Sequence, residues 1–266
     1  MSLDASWTFS PAVLAAVAGY GGLYGWRWRA ARAEAGPRGA DGAHLIVFCS
    51  GLVLVLVALV SPLDRWGEQA AWAHMVQHLM LADLAPILLV LGLTKVILRP
   101  ATRRLSRVER AAGPLAHPVL GVVAYVGVMW LWHVPALYDA ALSNTFVHVL
   151  EHLSFAGAGL LYWWHLLSPI RARLRMGGMG PVMYMASTKV LVGFLGVLLA
   201  FTPELIYDAY RDQSVLGLTP LEDQNVAGLV MALEQSLVMG VALAFLFVRM
   251  LTESDAEELR VERYRR

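Results

Sequence analysis

The sequence predicts an all-α fold: a polytopic membrane helix bundle of seven transmembrane helices. Two compositional observations and one pattern point to it. Of the 266 residues, 58% are hydrophobic and 15% are charged, against roughly 45–50% and about 25% in soluble domains. The mean hydropathy is +0.57, far from the polar composition of disordered chains. Seven mostly apolar stretches approach the length of about 20 residues needed to cross the hydrocarbon of a bilayer. Lys and Arg total 21 against 20 for Asp and Glu, so no basic surface for nucleic acid is expected. The single cysteine, Cys49, excludes an intramolecular disulfide framework.

The expected spans are 11–28, 43–60, 69–91, 118–134, 146–167, 181–201 and 225–250. They fill most of the chain, so residues 1–266 read as a single transmembrane domain with short loops. The first span is followed by Arg27, Arg29 and Arg32, a stop-transfer pattern rather than a cleavable signal peptide. The second is nearly all aliphatic, and the third carries His74, His78 and Asp83. Pro118 opens the fourth, which closes at His133. His148, Glu151 and His152 lie early in the fifth, Lys189 within the sixth, and Glu234 within the seventh.

Orientation follows from the Lys/Arg bias of the loops. Arg27, Arg29, Arg32 and Arg38 follow span one, and Lys95, Arg99, Arg103, Arg104, Arg107 and Arg110 follow span three. Arg171, Arg173 and Arg175 follow span five, and Arg260, Arg263, Arg265 and Arg266 follow span seven. The alternate loops hold only Arg65 and Arg211. The N-terminus is therefore expected outside and the C-terminus in the cytoplasm.

That topology sorts the histidines. His74, His78, His133, His148 and His152 fall in the outer leaflet on three helices, whereas His44, His117 and His165 fall near the cytoplasmic face. Residues at i and i+4 share a helix face, so each His-x-x-x-His presents two imidazoles side by side. Such pairs on facing helices can hold a metal in a bundle core. Imidazole suits zinc, copper, iron and nickel. Gln77 and Glu151 each precede the second histidine of a pair, as direct ligands or as partners fixing an imidazole, with simple capping a third reading for Glu151. Asp223 and Gln224, opening span seven, are candidate further ligands, and capping is the other reading for Asp223. The candidate metal set is His74, His78, His133, His148, His152, Glu151 and Asp223.

Three outer segments resemble one another: Ser61-Pro62-Leu63-Asp64, Val134-Pro135-Ala136-Leu137-Tyr138-Asp139 and Thr202-Pro203-Glu204-Leu205-Ile206-Tyr207-Asp208. They suggest a helix hairpin used three times, with histidines following the first two. Asp83, Lys189 and Glu234 are the other intramembrane charges, read as a buried ion pair or as a proton or cation relay. Met176, Met179, Met183 and Met185 form a thioether-rich stretch that reads as packing or as a copper(I) path. Cys49 reads as buried packing. Trp7, Trp26, Trp66 and Trp72 suit an interfacial aromatic belt.

Several motifs resemble a known family. They are His74-Met75-Val76-Gln77-His78 with Ala85-Pro86 and Leu91-Gly92; Trp132-His133-Val134-Pro135-Ala136-Leu137-Tyr138-Asp139; His148-Val149-Leu150-Glu151-His152-Leu153; and Asp223-Gln224 with Ala227-Gly228-Leu229-Val230-Met231. Together they resemble the CtaG-type cytochrome c oxidase assembly factors, multi-span bacterial membrane proteins, across spans two to seven. The chain departs from the family's pattern at Ile87 and at Ala232, Leu233, Glu234 and Gln235. The resemblance implies maturation of a haem–copper oxidase through copper handled at the outer face. It also implies a multi-pass location in the bacterial plasma membrane. The implied partners are membrane lipid, an oxidase subunit or another copper carrier, and a second copy is possible. No nucleophile–base pair or phosphate loop points to an enzyme. Three readings stay open: a copper-binding assembly factor; a membrane enzyme or electron carrier with haem or two metals, zinc or iron included; and a metal-free assembly scaffold.

Overall fold

Local signals set the helix ends. Asp41 caps α2 (Gly42–Val60) by accepting the His44 N–H, and Ser61 caps the short α3 (Pro62–Gly67) through Leu63 N–H. Proline at the first or second position opens both α1 (Pro11–Ala35) and α3, where its missing N–H costs nothing. The third apolar stretch is α4 (Ala71–Leu79) and α5 (Ala85–Leu91), joined by a π-helical turn over Met80–Leu84. After it come α6 (Lys95–Ala112), α7 (Pro118–Trp132), α8 (Pro135–Ser143), α9 (Thr145–Leu167), α10 (Gly180–Phe201) and α11 (Pro220–Arg265). This is a computed structural model that describes residues 3–170 and 176–265, with the side chains of Leu115, Arg249 and 253–265 outside the description. Arg171, Arg173 and Arg175 lie outside the described residues, as does Arg266, and so do the side chains of Arg260, Arg263 and Arg265.

The protein is all-helical among the described residues. Four helical stretches are long and apolar enough to cross a membrane: Gly42–Val60, Ala71–Leu91, Gly180–Phe201 and Pro220–Thr252. A fifth arises if α7 and α8, bent by 75° relative to each other, count as one broken span. The span expected over 118–134 therefore ends at Trp132, leaving His133 at the bend. In α9, 23 residues long, His148, Glu151, His152 and His165 dilute an otherwise apolar helix.

Three segments expected as loops are helices. They are the short α3, α8 and α6; in α6 Ile97, Ala101, Leu105 and Val108 recur at helical spacing between arginines, the pattern of a helix lying in a membrane interface.

Contacts sort the connections to the two ends of the bundle. At one end, Thr8 N–H donates to Val60 O at 2.9 Å, Tyr210 OH to Gly67 O at 2.6 Å, and Ala209 N–H to Asp139 Oδ1 at 3.2 Å. At the other, Arg27 donates to the carbonyls of Val96 and Ile97, Thr94 Oγ1 donates to Gly39 O at 2.6 Å, and Arg99 pairs with Glu34. The arginine-rich connections after α1 and α5 thus share an end.

Small residues bring the helices into backbone contact. A methyl placed on Gly159 of α9 would lie 2.1 Å from Ala82 O in the π turn. One on Gly228 of α11 would lie 2.3 Å from Ala200 N of α10. Asp83, in the same π turn, is fully buried and accepts from Tyr125 OH at 2.5 Å and Trp163 Nε1 at 2.9 Å. Glu234 accepts from Gln235 Nε2 at 2.7 Å. Among the described residues no ion pair joins either acid to Lys189, so the expected salt bridge is replaced by hydrogen bonds from neutral donors. Cys49 faces outward instead of packing inside. Met179 and Met183 are exposed while Met185 is buried, so these methionines do not form one thioether cluster.

Gly159→Ala should force α9 from the π turn and cost about 1–3 kcal/mol, as overpacking does. Gly19→Ala, with nothing within 4 Å, should not destabilise. Thermal unfolding in detergent distinguishes the two.

Candidate metal centre

The two i,i+4 histidine pairs stand on α4 and α9, and the π turn that continues α4 meets α9 where Ala82 lies against Gly159. His74 and His78 have ring centroids 4.1 Å apart, as do His148 and His152. Across the helices, His74 lies 5.8 Å from His148, and His78 lies 5.8 Å from His152. Four imidazoles thus form one four-sided group. Glu151, one residue before His152, projects into it, with Oε1 3.6 Å from His74 Nε2 and 3.4 Å from His78 Nε2. Two triads result, His74–His78–Glu151 and His148–Glu151–His152, each with one atom per residue all within 4.8 Å of one another. Glu151 belongs to both.

Burial leaves this group electrostatically incomplete. His74, His78 and Glu151 are at most 1% exposed, His152 is 9% exposed and His148 is half-buried. Both ring nitrogens of His74 and His78, Nε2 of His148 and His152, and both Glu151 carboxylate oxygens lack a hydrogen-bond partner. Native interiors rarely leave buried polar atoms unpaired. The 3.4–3.6 Å separations exceed ordinary N–H···O lengths. The atoms instead form a donor set that could hold a metal ion: neutral imidazoles of the kind zinc, copper, iron and nickel accept, plus one carboxylate.

Aromatic residues close the end of the group. Phe155 packs on His78 at 4.2 Å between centroids, and Tyr138 lies 5.0 Å from His74. Tyr138 and Tyr207 stack at 3.8 Å, 18° from parallel. These tyrosines stand in the second and third copies of the Pro…Tyr-Asp pattern, whose recurrence was the available signal for them. Tyr210, hydrogen-bonded to Gly67, sits beside Tyr138 with hydroxyls 3.5 Å apart.

The remaining candidates have other partners. Asp223 lies outside both triads: its oxygens accept the N–H groups of Ala71 at 2.7 Å and Trp72 at 3.2 Å, capping α4 from another helix. Gln224 Oε1 accepts from Ile206 and Tyr207 N–H, holding the stacked tyrosine in place. Gln77 donates to Ala58 O at 2.7 Å and Asp64 Oδ1 at 2.9 Å, tying α4 to α2 and α3. His133 also lies outside the triads, its Nε2 directed at Met75 Sδ. His44 and His117 sit at helix starts of the arginine-rich end, His44 on Asp41 and His117 accepting Val119 N–H. The expected seven-residue set thus divides into five residues that converge and two, His133 and Asp223, that the same end of the bundle uses differently.

The fold and site together define a class: an all-helical membrane protein with a buried histidine–carboxylate cluster at one end of its bundle. The chain belongs to the cytochrome c oxidase caa3 assembly factor family (Caa3_CtaG), which it matches over residues 22–253. It is also 21% identical over 209 residues to an uncharacterized protein of Mycobacterium leprae (strain TN), covering 70% of this chain and 31% of that protein. The chain therefore spans about a third of the length of that curated relative. No solved structure matches it.

Asp223→Ala should destabilise the protein by about 1.5–3 kcal/mol, the worth of hydrogen bonds to a charged group. It should leave the metal stoichiometry unchanged. Unfolding and elemental analysis of one preparation test both halves.

Proposed function

We propose that this chain is a copper-handling assembly factor that serves a haem–copper oxidase from the bacterial plasma membrane. The observation that carries the reading is Glu151: a buried carboxylate without a hydrogen-bond partner, shared by two histidine triads. Four imidazoles and one carboxylate suit borderline divalent ions, and copper(II) heads the affinity order for nitrogen sites. His74, His78 and Glu151 would hold one ion, and His148, Glu151 and His152 present the second donor set. His148, half-buried, leaves that second set open to exchange. Copper here is cargo, received from a copper carrier or passed to an oxidase subunit. Family membership supports the oxidase as client.

A small ion is favoured over haem by the helix spacing. The helices bearing the histidine pairs touch backbone to backbone at Ala82 and Gly159, where not even a methyl fits. A macrocycle would have to part them.

In the membrane, the proposal takes residues 1–266 as one transmembrane unit of seven spans with the N-terminus outside. The sorting of connections to two ends supports it, with the arginine-rich connections of α1 and α5 cytoplasmic. Single cysteines in a Cys49→Ser background should then react with an impermeant thiol reagent at Asp4→Cys, Ala140→Cys and Ser214→Cys in intact cells. Arg104→Cys should stay protected. The reverse pattern places the histidine cluster on the wrong face for this function.

Elemental analysis of protein purified from copper-supplemented cells should find copper. Glu151→Gln should abolish it, since one substitution strikes both triads. The double variant His78→Ala, His152→Ala should lose copper and leave the client oxidase made but lacking copper. Fully metallated, active oxidase at limiting copper in that double variant would make the metal-free scaffold the better account.

A further inference from the structure

His133 stands outside the triads and faces a soft donor of its own. It ends α7, and its Nδ1 lies 2.6 Å from Met129 O. A carbonyl only accepts, so Nδ1 carries the proton, and in the neutral ring Nε2 is left with a bare lone pair. That nitrogen lies 3.3 Å from Met75 Sδ. A thioether has no proton to offer, so two lone pairs face each other with nothing between them. Protonating Nε2 would bury a cation in a ring that is 6% exposed, an expensive state without a paired anion. Met75 is 2% exposed, and Tyr207 OH donates to His133 O at 3.3 Å, pinning the residue.

We propose that Met75 Sδ and His133 Nε2 form a second metal site, for a soft monovalent ion of the copper(I) type, beside the histidine–glutamate cluster. Thioether sulfur is a soft ligand that selects copper(I), whereas carboxylate favours harder ions. Both donors are neutral, so a monovalent ion leaves one buried positive charge where a divalent ion would leave two, and the two dative bonds offset part of its desolvation. Met75 follows His74 directly in the chain, so one turn of α4 presents donors to both sites. The proposal deepens the copper reading and rests on it for its biological setting, while the donor geometry is independent of it.

The test uses the full chain in detergent, in a Cys49→Ser background so that any sulfur ligand is a thioether. Copper(I) is added without oxygen against a copper(I)-specific chelator, and X-ray absorption at the copper edge reads the ligands. Copper–sulfur scattering is expected, and Met75→Leu, which conserves volume, should remove it and weaken copper(I) binding at least tenfold. Zinc binding by the triads should be unchanged in Met75→Leu, which also shows that the variant is folded. Glu151→Gln should lose zinc and keep the copper–sulfur signal. Nitrogen- and oxygen-only scattering from the unsubstituted thioethers, a result independent of how Met75→Leu folds, overturns the proposal, as does wild-type copper(I) affinity in Met75→Leu. If zinc binds nowhere yet copper–sulfur scattering persists, the triad reading falls and this site stands.

Discussion

The architecture around the site depends on one buried carboxylate. Glu151 is fully buried, and an ionised carboxylate taken out of water is costly unless paired and hydrogen-bonded. Its neighbours are four imidazoles on two helices, none within a good hydrogen bond of it. Holding these groups together requires the span that carries α4, the π turn and α5 to approach α9 closely, and the close approach falls at the π turn and α5. Gly159 and Ala82 meet that requirement, and the π turn that presents Ala82 also turns Asp83 toward Tyr125 and Trp163. π turns are rare and concentrate at functional sites. Here the turn combines close helix approach with a satisfied acid, while the histidine–glutamate donors beside it stay without hydrogen-bond partners.

A polar frame at the same end fixes those donors. Asp223 caps α4 from α11, Gln77 anchors α4 to α2 and α3, and Gln224 holds Tyr207 against Tyr138. The Asp223 bond spans 152 positions, so the position of His74 depends on a residue far away in the chain, whereas the Gln77 and Gln224 bonds span 19 and 17. The three Pro-bearing segments serve this frame unequally. Two contribute the stacked tyrosines; in the first, Asp64 accepts from Gln77. Similar motifs thus end in different contacts because each meets a different neighbour.

The donor chemistry divides within one turn of helix. His74 faces three other imidazoles and a carboxylate, whereas Met75 faces a single neutral imidazole. Charge and softness differ between the two settings, and their adjacency follows from the 100° step between successive helical residues. Proximity of a harder and a softer donor set fits handling of an ion that exists in two oxidation states.

The all-helical character of the fold and the identity of the five converging residues were legible in the chain. Apolar runs separated by arginine-rich connections located the long helices, because lipid requires unbroken stretches and the loop bias is a charge count. The i,i+4 spacing by itself made His74–His78 and His148–His152 two-imidazole faces. The helices α6 and α8 were not legible as such, since their amphipathic or broken patterns resemble loops between longer apolar runs. The rotation of α4 against α9 about their axes was beyond the sequence, and that rotation put Glu151 at the centre, sent His133 to Met75 and gave Asp223 a backbone to cap. The chain determined which side chains share a helix face. Tertiary structure decided which faces meet, because that choice rests on where glycine lets two backbones touch and on hydrogen bonds between residues far apart in sequence.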